Sequence, residues 1–218
     1  FRLAHNRWFG GIGRYYMPFL SPTQTHVFSP KEWQEVLPEY NKGLHVVPQL
    51  LTRSADDFLW AAGELAAAGY REVNLNLGCP SGTVVAKGKG SGFLGRPQEL
   101  EAFLDRIFSA CTLHISIKTR LGLTDPEEFP PLFQQYPVQE LIIHPRVQKD
   151  FYKRPARREV FAAILTTCSL PVCYNGDLAT AGQCADFCRQ FPTVETIMLG
   201  RGLIGDPALA RKAAGGPA

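Results

Sequence analysis

Several signatures that would classify this chain quickly are missing. Its six cysteines show no paired C-x-x-C spacing, which excludes the common zinc modules, and they are too sparse among 218 residues for a disulfide-stapled secreted domain. No apolar run approaches the roughly 20 residues that span a bilayer, so neither a membrane nor a metal partner is expected. The opening FRLAHNRWF is neither a signal peptide nor a basic targeting segment, and a cytoplasmic protein with reduced thiols is the expectation. A formal charge of +3 is too small to mark a nucleic-acid binder by itself, so any such argument must rest on local clusters. No G-x-G-x-x-G follows the first strand-like run, which argues against a doubly wound dinucleotide fold.

What is present is ordinary for a folded enzyme, with 45% hydrophobic and 20% charged residues in a length that suits one domain. Short apolar runs alternate with helical patterns, the arrangement that builds a parallel sheet. Seven strands are expected at 14–20, 45–51, 71–78, 114–122, 139–146, 170–177 and 196–203. Ser54 as an N-cap and Gly69 as a stop frame a helix over 55–68, and Pro97 starts another whose Leu100, Phe103, Leu104, Ile107 and Phe108 share one face. Further helices are expected near 126–136, 155–167 and 179–190, the last with Cys184 and Cys188 in the core. Seven strands and a helix-like opening leave a (β/α)8 TIM barrel one strand short. The first strand would then precede Phe1.

Barrel enzymes carry their chemistry at the C-terminal ends of strands, and polar residues gather there. Asn175-Gly176-Asp177 and Gly200-Arg201-Gly202 close the last two strands, where small residues let backbone N–H groups approach an anion; the competing reading is a pair of tight glycine turns. Lys118 ends a strand as a cation for a carbonyl or an anionic ring, as a Schiff-base amine, or as a plain solvated lysine. Cys79, in Gly78-Cys79-Pro80, sits where the strand breaks and can donate a proton or act as a nucleophile. The glycine-rich stretch from Ser81 to Leu94, with Lys87 and Lys89, reads as a mobile lid. The run HPRVQKDFYKRPARR (144–158) mixes basic side chains with Phe151 and Tyr152, a composition that suits phosphate contacts and base stacking; taken singly, each charge reads as solvated surface.

Taken in order, NLNLGCPSGTVVAKGKGSGFL, KTRLG, HPR, NGD and LGRG resemble the dihydrouridine synthase family, and the likeness extends from Pro48 to Pro207. The resemblance implies reduction of uridine in tRNA to 5,6-dihydrouridine, with flavin mononucleotide (FMN) as cofactor and NADPH as reductant. It implies that Gln49, Lys118 and His144 contact the isoalloxazine ring and that Asn175, Gly176, Asp177, Gly200 and Arg201 form the phosphate loops. Cys79 takes the place of the acid that protonates C5 while hydride reaches C6, and Asn76, Arg120 and Tyr152 lie near the uracil. Family members open on a strand with an APMxGxT-like segment and end in a helical tRNA-gripping domain. Neither pattern is found here, so residues 1–218 are expected to be one catalytic barrel truncated at both ends, and a monomer. Alternatives are a flavin barrel acting on a free small molecule of the dihydroorotate or enone type, a Schiff-base aldolase using Lys118, and a non-catalytic RNA-binding barrel.

Overall fold

Side chains alternate across a strand, and here the alternation divides apolar from polar with unusual sharpness. In β3 (Glu72–Leu77), Val73, Leu75 and Leu77 are fully buried toward the helices, while Glu72, Asn74 and Asn76 face inward. β4 (His114–Arg120) repeats the pattern, with Ile115 and Ile117 outward and Ser116, Lys118 and Arg120 inward. The computed structural model, which describes residues 1–217, completes the sheet with β1 (Tyr15–Leu20), β2 (Val46–Leu50), β5 (Leu141–His144), β6 (Val172–Tyr174) and β7 (Thr196–Ile197). Ala218, the last residue of the expected barrel, lies outside the described residues. All neighbours are parallel and the strand order is the chain order, β1 through β7.

This is the curled half of a (β/α)8 barrel, with β1 and β7 as its two free edges. Between them runs a groove of about 1200 Å³, lined by Gly13, Tyr16, Pro18, Ile197 and Leu203 among others. The seven-strand reading is met, although the last strand is shorter than expected. Residues 196–203 hold only the two-residue β7, because the chain turns at Gly200 into helix α8 (Arg201–Gly205).

The remaining helices are α1 (Arg2–Trp8), α2 (Pro30–Val36), α3 (Ala55–Ala67), α4 (Gly82–Val85), α5 (Pro97–Ala110), α6 (Arg158–Thr167), α7 (Ala181–Gln190) and α9 (Leu209–Ala213). The Ser54 hydroxyl accepts from the Asp57 backbone N–H at 3.2 Å and caps α3, and Gly69 at φ +94° lets the chain leave it. Leu100, Phe103, Leu104 and Ile107 of α5 are buried, Phe103 packing edge-on against Phe58 and Phe93. The helix expected near 126–136 is instead two 3-10 turns, Pro126–Glu128 and Pro131–Gln135, since the Pro130-Pro131 pair removes two N–H donors and breaks any longer ladder. Of the two α7 cysteines, Cys184 is in the core and Cys188 is exposed.

Candidate active site

The inward residues of the strands rise to a cleft of about 830 Å³ at their C-terminal ends, within the size range of small-molecule sites. Gln49, Asn76, Cys79, Lys118, Arg120, His144, Tyr152, Asn175, Gly176, Asp177, Gly200 and Arg201 all line it. The residues that the family resemblance assigned to the site therefore meet in one place, although they span the chain from β2 to α8.

β3 ends because Asn76 folds back on its own backbone: its Oδ1 accepts from the N–H groups of Gly78 and Cys79, each at 3.0 Å. That turn presents Cys79 to the cleft. The following segment is folded onto it, not a free loop. Ser91 donates from both N and Oγ to the Cys79 carbonyl, at 3.1 and 2.9 Å, and Ser91 and Phe93 are buried. Gly90 lies at φ +56°, and a Cβ there would come within 2.8 Å of the Cys79 oxygen. The expected mobile lid is thus a packed brace for the cysteine.

Lys118 points into the cleft from β4 with no hydrogen bond or ion pair among the described residues. Burial pushes its ammonium down to about 8, with the Arg120 charge adding to the effect. A partly desolvated cation without a counter-ion is poised for an anionic or carbonyl ligand. His144, at the end of β5, is driven to about 3 by burial and by the charges of Lys118 and Arg120, so it is neutral near pH 7. Its Nδ1 lies 2.6 Å from the Asn175 carbonyl and must carry the proton; Nε2, 3.1 Å from Arg146 Nη1, then accepts.

Arg120 is 1% exposed and donates to the carbonyls of Gly78, Val147 and Phe151 at 2.9 to 3.1 Å. Its charge mainly clamps β3 to the loop after β5. Tyr152 lies under three guanidinium groups, Arg120 at 5.2 Å, Arg146 at 5.9 Å and Arg201 at 4.5 Å from the ring centre. Asp177 holds Arg201 at 3.0 Å and Arg146 at 2.5 Å.

Arg146, part of the basic run expected to contact phosphate or solvent, is 2% exposed instead. It ties His144 to Asp177 and so belongs with the strand-end residues of the site. Asp150 is buried as well, with Arg157 and the Val147 N–H holding its carboxyl below the usual range. Lys153 and Arg154, next in the chain after Tyr152, remain exposed.

Gly176 and Gly202 of the two loops are required by contact. A Cβ at Gly176 would strike the Tyr174 phenol at 2.0 Å, and one at Gly202 would meet the Leu178 carbonyl at 2.2 Å. The family model described as Dihydrouridine synthase matches residues 13–215. The chain belongs to the dihydrouridine synthase family. Among curated relatives, a probable tRNA-dihydrouridine synthase 1 of Synechocystis sp. is 30% identical over 199 residues, covering 89% of this chain and 55% of the relative. A tRNA-dihydrouridine(16) synthase of Cupriavidus necator is 29% identical over 180 residues, 79% of this chain and 55% of its own length. The chain thus spans about half the length of these relatives. In fold it resembles the histamine dehydrogenase of a Rhizobium species, with a TM-score of 0.62 at 15% identity over 93% of this chain and 40% of that one. No helix among the described residues is long and apolar enough to cross a membrane.

Proposed function

We propose that the protein to which this barrel belongs reduces uridine in tRNA to 5,6-dihydrouridine, using FMN with NADPH as reductant, in the cytoplasm. The observation that carries the reading is the pairing, in one cleft of a dihydrouridine synthase barrel, of the braced Cys79 with the unpaired Lys118 ammonium. The cleft fits the cofactor: the Asn175–Asp177 and Gly200–Gly202 loops both line it, and Arg201 offers a guanidinium to a phosphate. Asn175, Gly176, Asp177, Gly200 and Arg201 would hold that phosphate, and Gln49, Lys118 and His144 the ring system. When bound, the flavin supplies the hydride that uracil C6 receives.

The chain's own residues do the rest. Lys118 balances negative charge on the ring system beside it. Cys79 Sγ holds the proton that passes to C5 as negative charge develops there, and a positioned acid of this kind contributes about 10²–10⁴-fold. Asn76 and Tyr152 line the place of the uracil, and the exposed Lys153 and Arg154 lie on the route of an RNA backbone.

Cys79→Ala in the full-length, flavin-loaded enzyme is the test. Reduction of the flavin by NADPH should persist, while oxidation of the reduced flavin by unmodified tRNA falls by about 10²-fold or more. An undiminished tRNA reaction removes Cys79 from the acid role. Turnover of a free pyrimidine or enone in place of tRNA replaces the RNA substrate with a small molecule.

A further inference from the structure

The barrel interior beneath the cleft is crossed by one chain of hydrogen bonds. From the top, the backbone N–H groups of Gly78 and Cys79 donate to Asn76 Oδ1. Asn76 Nδ2 donates to Gln49 Oε1 at 2.7 Å, and Gln49 Nε2 donates to Asn74 Oδ1 at 2.7 Å. Asn74 Nδ2 donates to Ser116 Oγ at 3.0 Å, and Ser116 donates to Glu72 Oε1 at 2.9 Å. Arg14 lies beside the Glu72 carboxylate at 3.4 Å and closes the lower end.

The two ends leave no freedom in between. Backbone N–H groups can only donate, and a carboxylate can only accept. Turning over any one carboxamide would set donor against donor on one side and acceptor against acceptor on the other, in a buried site where each loss is costly. The chain therefore runs in one direction, and it commits both carboxamide oxygens at the cleft to protein donors. Each of Gln49 and Asn76 keeps a second N–H, with no partner among the described residues, in a side chain that lines the cleft.

We propose that Glu72 is a specificity-determining positioning residue: acting through Ser116 and Asn74, it fixes the Gln49 carboxamide and, together with the Gly78 and Cys79 N–H groups above, the Asn76 carboxamide, leaving their free N–H groups for the cleft, so that the site takes a ring carbonyl and refuses a ring amine. On the reading that a uracil enters here, this orientation separates uridine from cytidine, whose amino group replaces one carbonyl. A site built to donate penalises a ligand that also donates there, because two buried donors are left facing each other. Glu72 touches neither ligand. Its influence is carried by the direction of the hydrogen bonds.

The experiment has two arms. In the full chain labelled with 15N, side-chain amide exchange should show one protected and one fast N–H at both Gln49 and Asn76. Two equally fast protons at either residue would overturn the relay without any variant. Ser116→Ala should raise the exchange of the protected protons by about tenfold, the scale of one lost buried hydrogen bond, and Ser116→Thr, which keeps the hydroxyl, should restore it. In the full-length, flavin-loaded enzyme, Ser116→Ala should lower the preference for uridine over cytidine at the target position by about tenfold in kcat/KM, with flavin reduction by NADPH unchanged and Ser116→Thr again restoring it. Raised exchange with intact discrimination overturns the specificity role. A wild-type enzyme inert toward uridine sinks the proposed function instead, while the exchange arm still decides the relay.

Discussion

At the scale of single residues, burial without a counter-ion shapes this site. His144 and Lys118 are bases held below their ordinary values, so each binds fewer protons in the folded chain than in the unfolded one. Stability must then rise with pH through both windows, from about 3 to 6.5 for His144 and from about 8 to 10.5 for Lys118. The carboxyls of Asp150 and Asp177 are held below 3.8 and act in the same direction at the acid end. Between 3.8 and 6.5 the histidine stands apart from them, with a slope of about 1.4 kcal/mol per pH unit. Denaturant midpoints of the cofactor-free chain across that range should follow this slope, and His144→Gln should flatten it. A wild-type curve already flat there would mean that His144 is not held neutral by its surroundings. Nothing in HPRVQ discloses such a value, which arises from burial in the assembled cleft and from Lys118 and Arg120 on another strand. That His144 belongs to a site was legible; its neutrality was not.

Elements were legible where local chemistry and tertiary packing agree. The α3 start at Ser54 and the α5 start behind Pro97 come from capping rules that hold in any context. α2 was missed although Ser29 and Glu32 form a capping box, a signal available to anyone reading S-x-x-E before Trp33. The stretch after Cys79 misled for a different reason. Its glycines suggest mobility, yet Gly90 is there because the chain passes too close to Cys79 for any side chain. Gly90→Ala should therefore cost about 1–3 kcal/mol in stability, through strain at positive φ, and displace the cysteine it braces. Thermal unfolding and the rate of Cys79 alkylation measure the two effects. An alkylation rate equal to that of wild type would show that the brace does not set the cysteine's position.

For the whole molecule, the sequence pattern identified the parallel architecture and the strand count, since apolar runs mark strands wherever helices cover them. It did not disclose the polar interior. Glu72, Asn74 and Asn76 alternate in REVNLNLG, but an apolar run with polar interruptions reads equally as a half-exposed edge. Only the curl of the sheet encloses those residues. The same curvature predicts a gradient of rigidity. β3 and β4 pair along their length, whereas β7 pairs with β6 at two positions and β1 and β7 leave their outer edges unpaired. Amide exchange should be slowest in β3 to β5 and fastest in β7. Uniform protection across the seven strands would contradict it.

Strand order that repeats chain order also bears on how the molecule is made. As the chain leaves the ribosome, at about 5–20 residues per second, each new strand finds its neighbour already present in the one before it. The charges do not share this convenience. Arg14 precedes both its carboxylate partners, Glu72 by 58 positions and Glu140 by 126, so its guanidinium stays hydrated until they arrive. Assembly of the barrel floor therefore includes a dehydration, in which water leaves as a later carboxylate reaches an earlier arginine.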